Sequence, residues 1–172
     1  RSRKPDPVEN CPYPVYLTAD LPSPCLFGLF HPAVYLTPAA VESPETLRHV
    51  LIHETTHARH LDPLWSLLRC VCLAVYWFDP LVWIAAIVSR RDCELACDEG
   101  ALRQLGESER IPYGQTLLRL IPVAGRPESP MLSATTMTAG KRELKDRVTR
   151  IAENRRTVGV ALLAVVTAAA LV

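Results

Sequence analysis

The pentapeptide His53-Glu54-Thr55-Thr56-His57 sets two imidazoles four residues apart, with a carboxylate directly after the first. On an α-helix, positions i and i+4 share a face, so both imidazoles can grip one metal ion while Glu54 reaches the water beside it. This HExxH pattern is peptidase chemistry: His53 and His57 hold Zn2+, and Glu54 is the general base that takes a proton from the attacking water. A catalytic zinc takes three protein ligands and keeps a fourth position open. Glu94, in Glu94-Leu95-Ala96-Cys97-Asp98, supplies the third. Asp98, one helical turn on, can accept the spare N–H of a ligating His and fix its tautomer. The competing reading of Glu94 and Asp98 is a solvated acidic face beside Arg90 and Arg91. Tyr113 and His60 are candidates for a transition-state electrophile. His49, one turn before His53, and His60 are candidates to line the cleft, and His31 falls on an expected edge strand where an extended substrate can add.

These residues need helices to carry them. Ser43-Pro44-Glu45 starts one: the hydroxyl can cap a free amide, Pro loses no bond in the first turn, and Glu suits the positive end. The helix is expected from Pro44 to about His60, where Asp62-Pro63 breaks it. The apolar stretch Leu64 to Val88 contains Arg69 and Asp79-Pro80, which argue against a single membrane span. Two helices are expected instead, over 64–78 and 80–104, with Asp79 as cap and Pro80 in the first turn. They read as a buried helical core; the alternative is contact with a lipid interface through Trp65, Trp77 and Trp83. Further helices are expected over 111–120 and 141–154, the latter with Leu144, Val148 and Ile151 on one face.

The N-terminal part differs. Residues 1–14 are a proline-rich extended lead-in, and a strand is expected over Val15 to Leu17. Leu26 to Thr37 has strand composition, but Pro32 bars it from a central position, leaving an edge strand or two short strands meeting near His31 and Pro32. The fold class is therefore α+β, mainly helical, with a small edge sheet.

At 172 residues the chain is about one domain. With 49% hydrophobic and 22% charged residues it is not a disordered chain. A net charge of +1 carries no basic field, so direct nucleic-acid binding is not expected. The six cysteines, too irregular for a disulfide framework, read as reduced thiols, and Cys93 and Cys97, four apart on an expected helix, as small buried thiols rather than zinc ligands. Residues 157–172 contain no charge. They would extend about 24 Å as a helix against a hydrocarbon core of roughly 30 Å, and read as the start of a transmembrane helix. Seven basic residues against three acidic ones over 141–156 mark the cytoplasmic side. Residues 1–156 are thus expected to form a cytosolic domain of a longer membrane protein, with 157–172 as a truncated span.

The ordered series HETTHARHLDPLW, WFDPLVW, RRDCELACDEGAL and IPYGQTLLRL resembles the BlaR/MecR-type membrane metallopeptidases, the antirepressor and β-lactam-signal transducers, over roughly residues 15–156. The resemblance implies a gluzincin-like zinc domain facing the cytoplasm from a multi-pass protein of the bacterial inner membrane. It implies His53, His57 and Glu94 as zinc ligands, Glu54 as general base and Asp98 as supporting carboxylate. It also implies a protein substrate, either a cytosolic transcriptional repressor or the chain itself. The basic segment through Lys145-Asp146-Arg147 and Asn154-Arg155-Arg156 is a candidate for self-cleavage, and equally a plain charge cluster. Two alternatives stay open: a non-proteolytic signal relay with a structural zinc, and a housekeeping membrane protease without a sensor.

Overall fold

Three short strands precede the helices: β1 (Val15–Leu17), β2 (Cys25–Phe27) and β3 (Ala33–Leu36). The structure is a computed structural model that describes residues 11–120 and 141–153. The sheet order is β1-β3-β2, with β1 parallel and β2 antiparallel to β3. Leu26 to Thr37 thus holds two strands meeting near Pro32. Contrary to the expectation from Pro32, however, β3 is the central strand. The proline lies one residue ahead of it, so its missing N–H removes no ladder bond. Gly28 makes the β2–β3 turn: it has φ +110°, and a Cβ there would stand 2.5 Å from the His31 carbonyl oxygen. His31 sits exposed in this turn, not on a strand.

Five α-helices follow among the described residues: α1 (Pro44–Arg59), α2 (Asp62–Val75), α3 (Pro80–Leu105), α4 (Arg110–Arg119) and α5 (Lys141–Glu153). The Ser43 hydroxyl accepts from the Thr46 amide at 3.1 Å to cap α1, and Asp79 accepts from Leu81 at 2.8 Å to cap α3. Asp62-Pro63 does more than break α1. Leu61 takes a left-handed conformation (φ 59°), and Asp62 then opens α2 with Pro63 in its first turn.

Helix α1 lies between two cores. One joins it to the sheet through Leu26, Val34, Leu36, Val50 and Leu51. The other gathers Ala101, Leu105, Tyr113, Leu117, Leu144 and Ile151 from α3, α4 and α5, so the expected apolar face of α5 is buried. Gly100 lets α3 close on α1, since a Cβ there would come within 2.8 Å of Thr56 Cγ2. That approach brings the middle of α3 opposite the HExxH face.

The stretch from Leu64 to Val88 departs from the expectation of a buried core. It forms the α2–α3 hairpin and leaves Leu64, Leu68, Val71, Trp77, Phe78 and Ile87 exposed, Trp77 by 69%. No helix among the described residues is long and apolar enough to cross a membrane. The expected span over 157–172, residues 154–156 and the first ten residues of the lead-in lie outside the described residues. All six cysteines are free; Cys25 and Cys97 are buried, but Cys70 is exposed.

Candidate metal centre

Helix α1 lines a cleft with Glu54 and His57 and α3 lines it with Glu94, with His53 and Asp98 buried beside them. The Nε2 atoms of His53 and His57 face each other at 3.1 Å. Glu94 closes the triangle, with Oε2 3.8 Å from His53 Nε2 and Oε1 3.9 Å from His57 Nε2. Tetrahedral zinc, with bonds of about 2.0–2.1 Å, holds neighbouring ligand atoms about 3.3 Å apart, so one ion fits among these three.

The outer ring nitrogens are both engaged. His57 Nδ1 lies 2.6 Å from Asp62 Oδ2, and an ionised carboxylate only accepts, so the proton sits on Nδ1 and Nε2 points inward. The left-handed Leu61 makes this possible by turning the chain so that Asp62 comes back under His57. Tyr113 donates its hydroxyl hydrogen to Asp98 Oδ1 at 2.8 Å, leaving its oxygen to accept from His53 Nδ1 at 2.7 Å. Asp98 itself is 3.5 Å from His53 Nδ1 and therefore acts on it through Tyr113.

Charge at the site favours a cation. Glu54, Glu94, Asp62 and Asp98 are gathered around the imidazoles, with Arg147 of α5 placed against two of them. Its guanidinium is bidentate to Asp98 at 2.7 Å for both bonds, and Nη1 lies 3.0 Å from Glu94 Oε2. Burial pulls His57 toward its neutral form, but the Asp62 hydrogen bond and the Glu94 and Glu54 charges outweigh it and push the pKa up to about 9. Burial likewise opposes ionisation of Glu94, yet Arg147, then His53 and His57, hold its carboxyl well below the usual range. Glu54 goes the other way: burial pushes its pKa up, and the two histidines recover only part of that. Burial and the Asp62 charge also push the Cys97 thiol up, so it stays a neutral donor to Asp62 at 3.1 Å.

Two buried carboxylate oxygens, Glu54 Oε1 and Glu94 Oε2, have no aligned hydrogen-bond donor. The second has Arg147 close by but off line. Orphaned acceptors beside two inward-facing imidazoles, in a two-nitrogen and carboxylate donor set, fit a divalent ion of the zinc type. The cleft in front of them has a volume of about 310 Å³ and runs along β2, past Glu54, His57 and Glu94, to Arg69 and Arg90 at the base of the hairpin.

The family model described as BlaR1 peptidase M56 matches residues 8–151. The chain belongs to this peptidase family. Among curated relatives, the regulatory protein BlaR1 of Bacillus licheniformis is 28% identical over 130 residues, covering 75% of this chain and 22% of the relative. The methicillin resistance mecR1 protein of Staphylococcus aureus is 28% identical over 104 residues, 59% of this chain and 18% of the relative. The chain thus spans about a fifth of the length of these curated relatives.

In this BlaR1-type peptidase chain, the structure brings His53, His57, Glu54, Glu94 and Asp98 together. It places the other sequence candidates elsewhere. His49 is buried between α1 and α4, with Nδ1 2.8 Å from Thr116 Oγ1 and Nε2 3.2 Å from Glu109, and does not line the cleft. His60 caps the end of α1 beside Gly100 and Cys97, also away from the cleft. Tyr113 lies behind His53 with its hydroxyl committed, a position for orienting the imidazole rather than polarising a substrate. Lys145-Asp146-Arg147 lies inside α5 with Arg147 buried, so it offers no extended segment for self-cleavage.

Two functional neighbours escaped the sequence reading. Asp62 looked like a helix breaker, although a carboxylate five residues past His57 was the available signal. Arg147 looked like one more basic residue, although it falls between Leu144 and Ile151 on the apolar face of α5. Replacing Asp62→Asn should weaken zinc binding about 10–100-fold with little change in melting temperature, because the His57 tautomer is no longer enforced. Competition titration against a zinc chelator checks it; an unchanged affinity would remove Asp62 from the site.

Proposed function

We propose that this chain is the zinc-dependent endopeptidase domain of a bacterial integral membrane protein. It cleaves a cytosolic protein such as a transcriptional repressor, or a segment of its own chain, from the cytoplasmic side of the inner membrane during signalling. The observation that carries this reading is the triangle of His53 Nε2, His57 Nε2 and Glu94, with the unpartnered Glu54 oxygen beside it. A third ligand contributed as a Glu from a second helix is the gluzincin pattern. The relatives' printed names, a regulatory protein and a methicillin resistance protein, support the signalling context.

Each residue then has a task. Strand β2 is an edge strand along the cleft, so an extended peptide can pair with its free side and present its carbonyl to the site. When bound, zinc supplies Lewis acidity, polarising the scissile carbonyl and making water acidic at neutral pH. Glu54 accepts the proton of the attacking water and passes it to the leaving nitrogen. Its raised pKa suits both halves of that transfer. Asp62 orients His57, and Tyr113 with Asp98 orients His53. Arg147 holds Glu94 and Asp98 in place.

The test uses the full-length protein in membrane vesicles with an unfolded protein as probe. Cleavage should stop on adding a zinc chelator and return with added Zn2+. Cleavage indifferent to chelation would overturn the proposal.

A further inference from the structure

The α2–α3 hairpin is built inside out. Its polar side chains lie between the two helices: Arg69 Nη2 donates to Ser66 Oγ at 2.7 Å, and Nη1 lies 3.4 Å from Ser89 Oγ and 3.5 Å from Cys93 Sγ. Its outward surface is apolar on both helices, through Leu67, Val71 and Val75 on α2 and Leu81, Ile84 and Ile87 on α3, all exposed. In water the arrangement is normally the reverse, and an exposed apolar surface of this extent marks an interaction site.

We propose that this hairpin inserts its tip into one leaflet of an anionic bilayer, as an anchor that lays the peptidase cleft on the membrane surface. Four observations favour lipid over a protein partner. The outward sides of both helices are apolar, which asks for a surrounding apolar medium rather than one docking face. The hydrogen bonds seen at the tip stay within the hairpin: the Tyr76 amide donates to the Cys72 carbonyl, the Asp79 amide to the Tyr76 carbonyl and the Leu81 amide to the Asp79 carboxylate, while the Trp83 indole N–H donates to the Trp77 carbonyl at 2.9 Å. Each such bond lowers the cost of leaving water.

Length and charge agree. From Cys70 to Val75 and from Pro80 to Ser89 the helices carry no charged side chain. Those stretches rise about 9 Å and 15 Å, enough to enter one leaflet of a hydrocarbon core roughly 30 Å thick and short of a crossing. The single tip carboxylate, Asp79, caps α3 at the positive end of its dipole. At the other end, Arg69, bonded within the hairpin, Arg90, and Arg91, ion-paired with Asp146, mark where the apolar stretch stops and anionic headgroups would lie, while the rings of Trp77 and Trp83 are at the inserted tip. Arg69 and Arg90 also line the cleft. Insertion therefore fixes the cleft mouth at the membrane surface. The anchor does not depend on the metal chemistry proposed above.

The test reads depth, so another membrane-bound part of the chain does not confound it. This 172-residue chain carrying Trp65→Phe keeps its tryptophans only at the tip, Trp77 and Trp83. It is placed in phosphatidylcholine and phosphatidylglycerol vesicles with brominated acyl chains. The tip emission should lose about half or more of its intensity to the lipid bromines and resist aqueous acrylamide, as expected for rings some 5–10 Å into the boundary. Quenching by acrylamide and not by bromine would put the tip in water. Resistance to both would put it under protein, a second copy included. Either result overturns the proposal.

Discussion

Replacing Glu54→Gln will leave the metal in place and lower peptide hydrolysis about 10²–10⁴-fold, the usual cost of losing a positioned general base. The amide matches the carboxylate in shape but cannot take the proton from water. Glu54 is 1% exposed, and its Oε1 has no donor in the protein, so that oxygen is free for the attacking water. Burial raises its pKa, which makes its conjugate acid a better donor to the leaving nitrogen. The readout is kcat on a peptide substrate with zinc content measured on the same sample. Persisting hydrolysis would move the base elsewhere; lost zinc would mean that Glu54 ligates or supports the ion.

Arg147→Met is expected to cost about 3–5 kcal/mol of folding stability, because it strips the compensating charge from two carboxylates that stay buried. Asp98 loses both of its 2.7 Å bonds, and Glu94 loses a cation 3.0 Å away. For a domain of this size each kcal/mol lowers the melting temperature by about 2–4 °C, so a fall of roughly 6–20 °C follows. Arg147→Lys should lie between, since an ammonium keeps the charge without the bidentate fork. Denaturant unfolding of the three proteins decides it. A loss under about 1 kcal/mol for the methionine variant would show that α5 contributes packing alone.

What the sequence disclosed was local. Ser43, Asp79 and Pro80 are capping signals that act within one turn, and the helices start where they stand. The His53/His57 spacing is a property of one helix, and Glu94 and Asp98 share a face of another. Long-range partners were not legible. Asp62 reaches His57 only because Leu61 turns left-handed, and Tyr113 reaches His53 across 60 residues of chain. Arg147 needed the packing of α5 on α3 to show its purpose. Pro32 misled because one residue of offset separates a turn from the central strand. Hydropathy failed on the α2–α3 hairpin for another reason: an apolar side chain looks the same in sequence whether a protein core or a lipid surrounds it.

The central claim is that two imidazoles of α1 and a carboxylate of α3 hold one zinc ion. Counting zinc per chain after exhaustive dialysis tests it most directly, in the native protein, Glu54→Gln and the double variant His53→Ala, His57→Ala. The account predicts one zinc per chain in the first two and none in the third. A native protein without zinc, or a double variant that keeps as much as the native one, would contradict it.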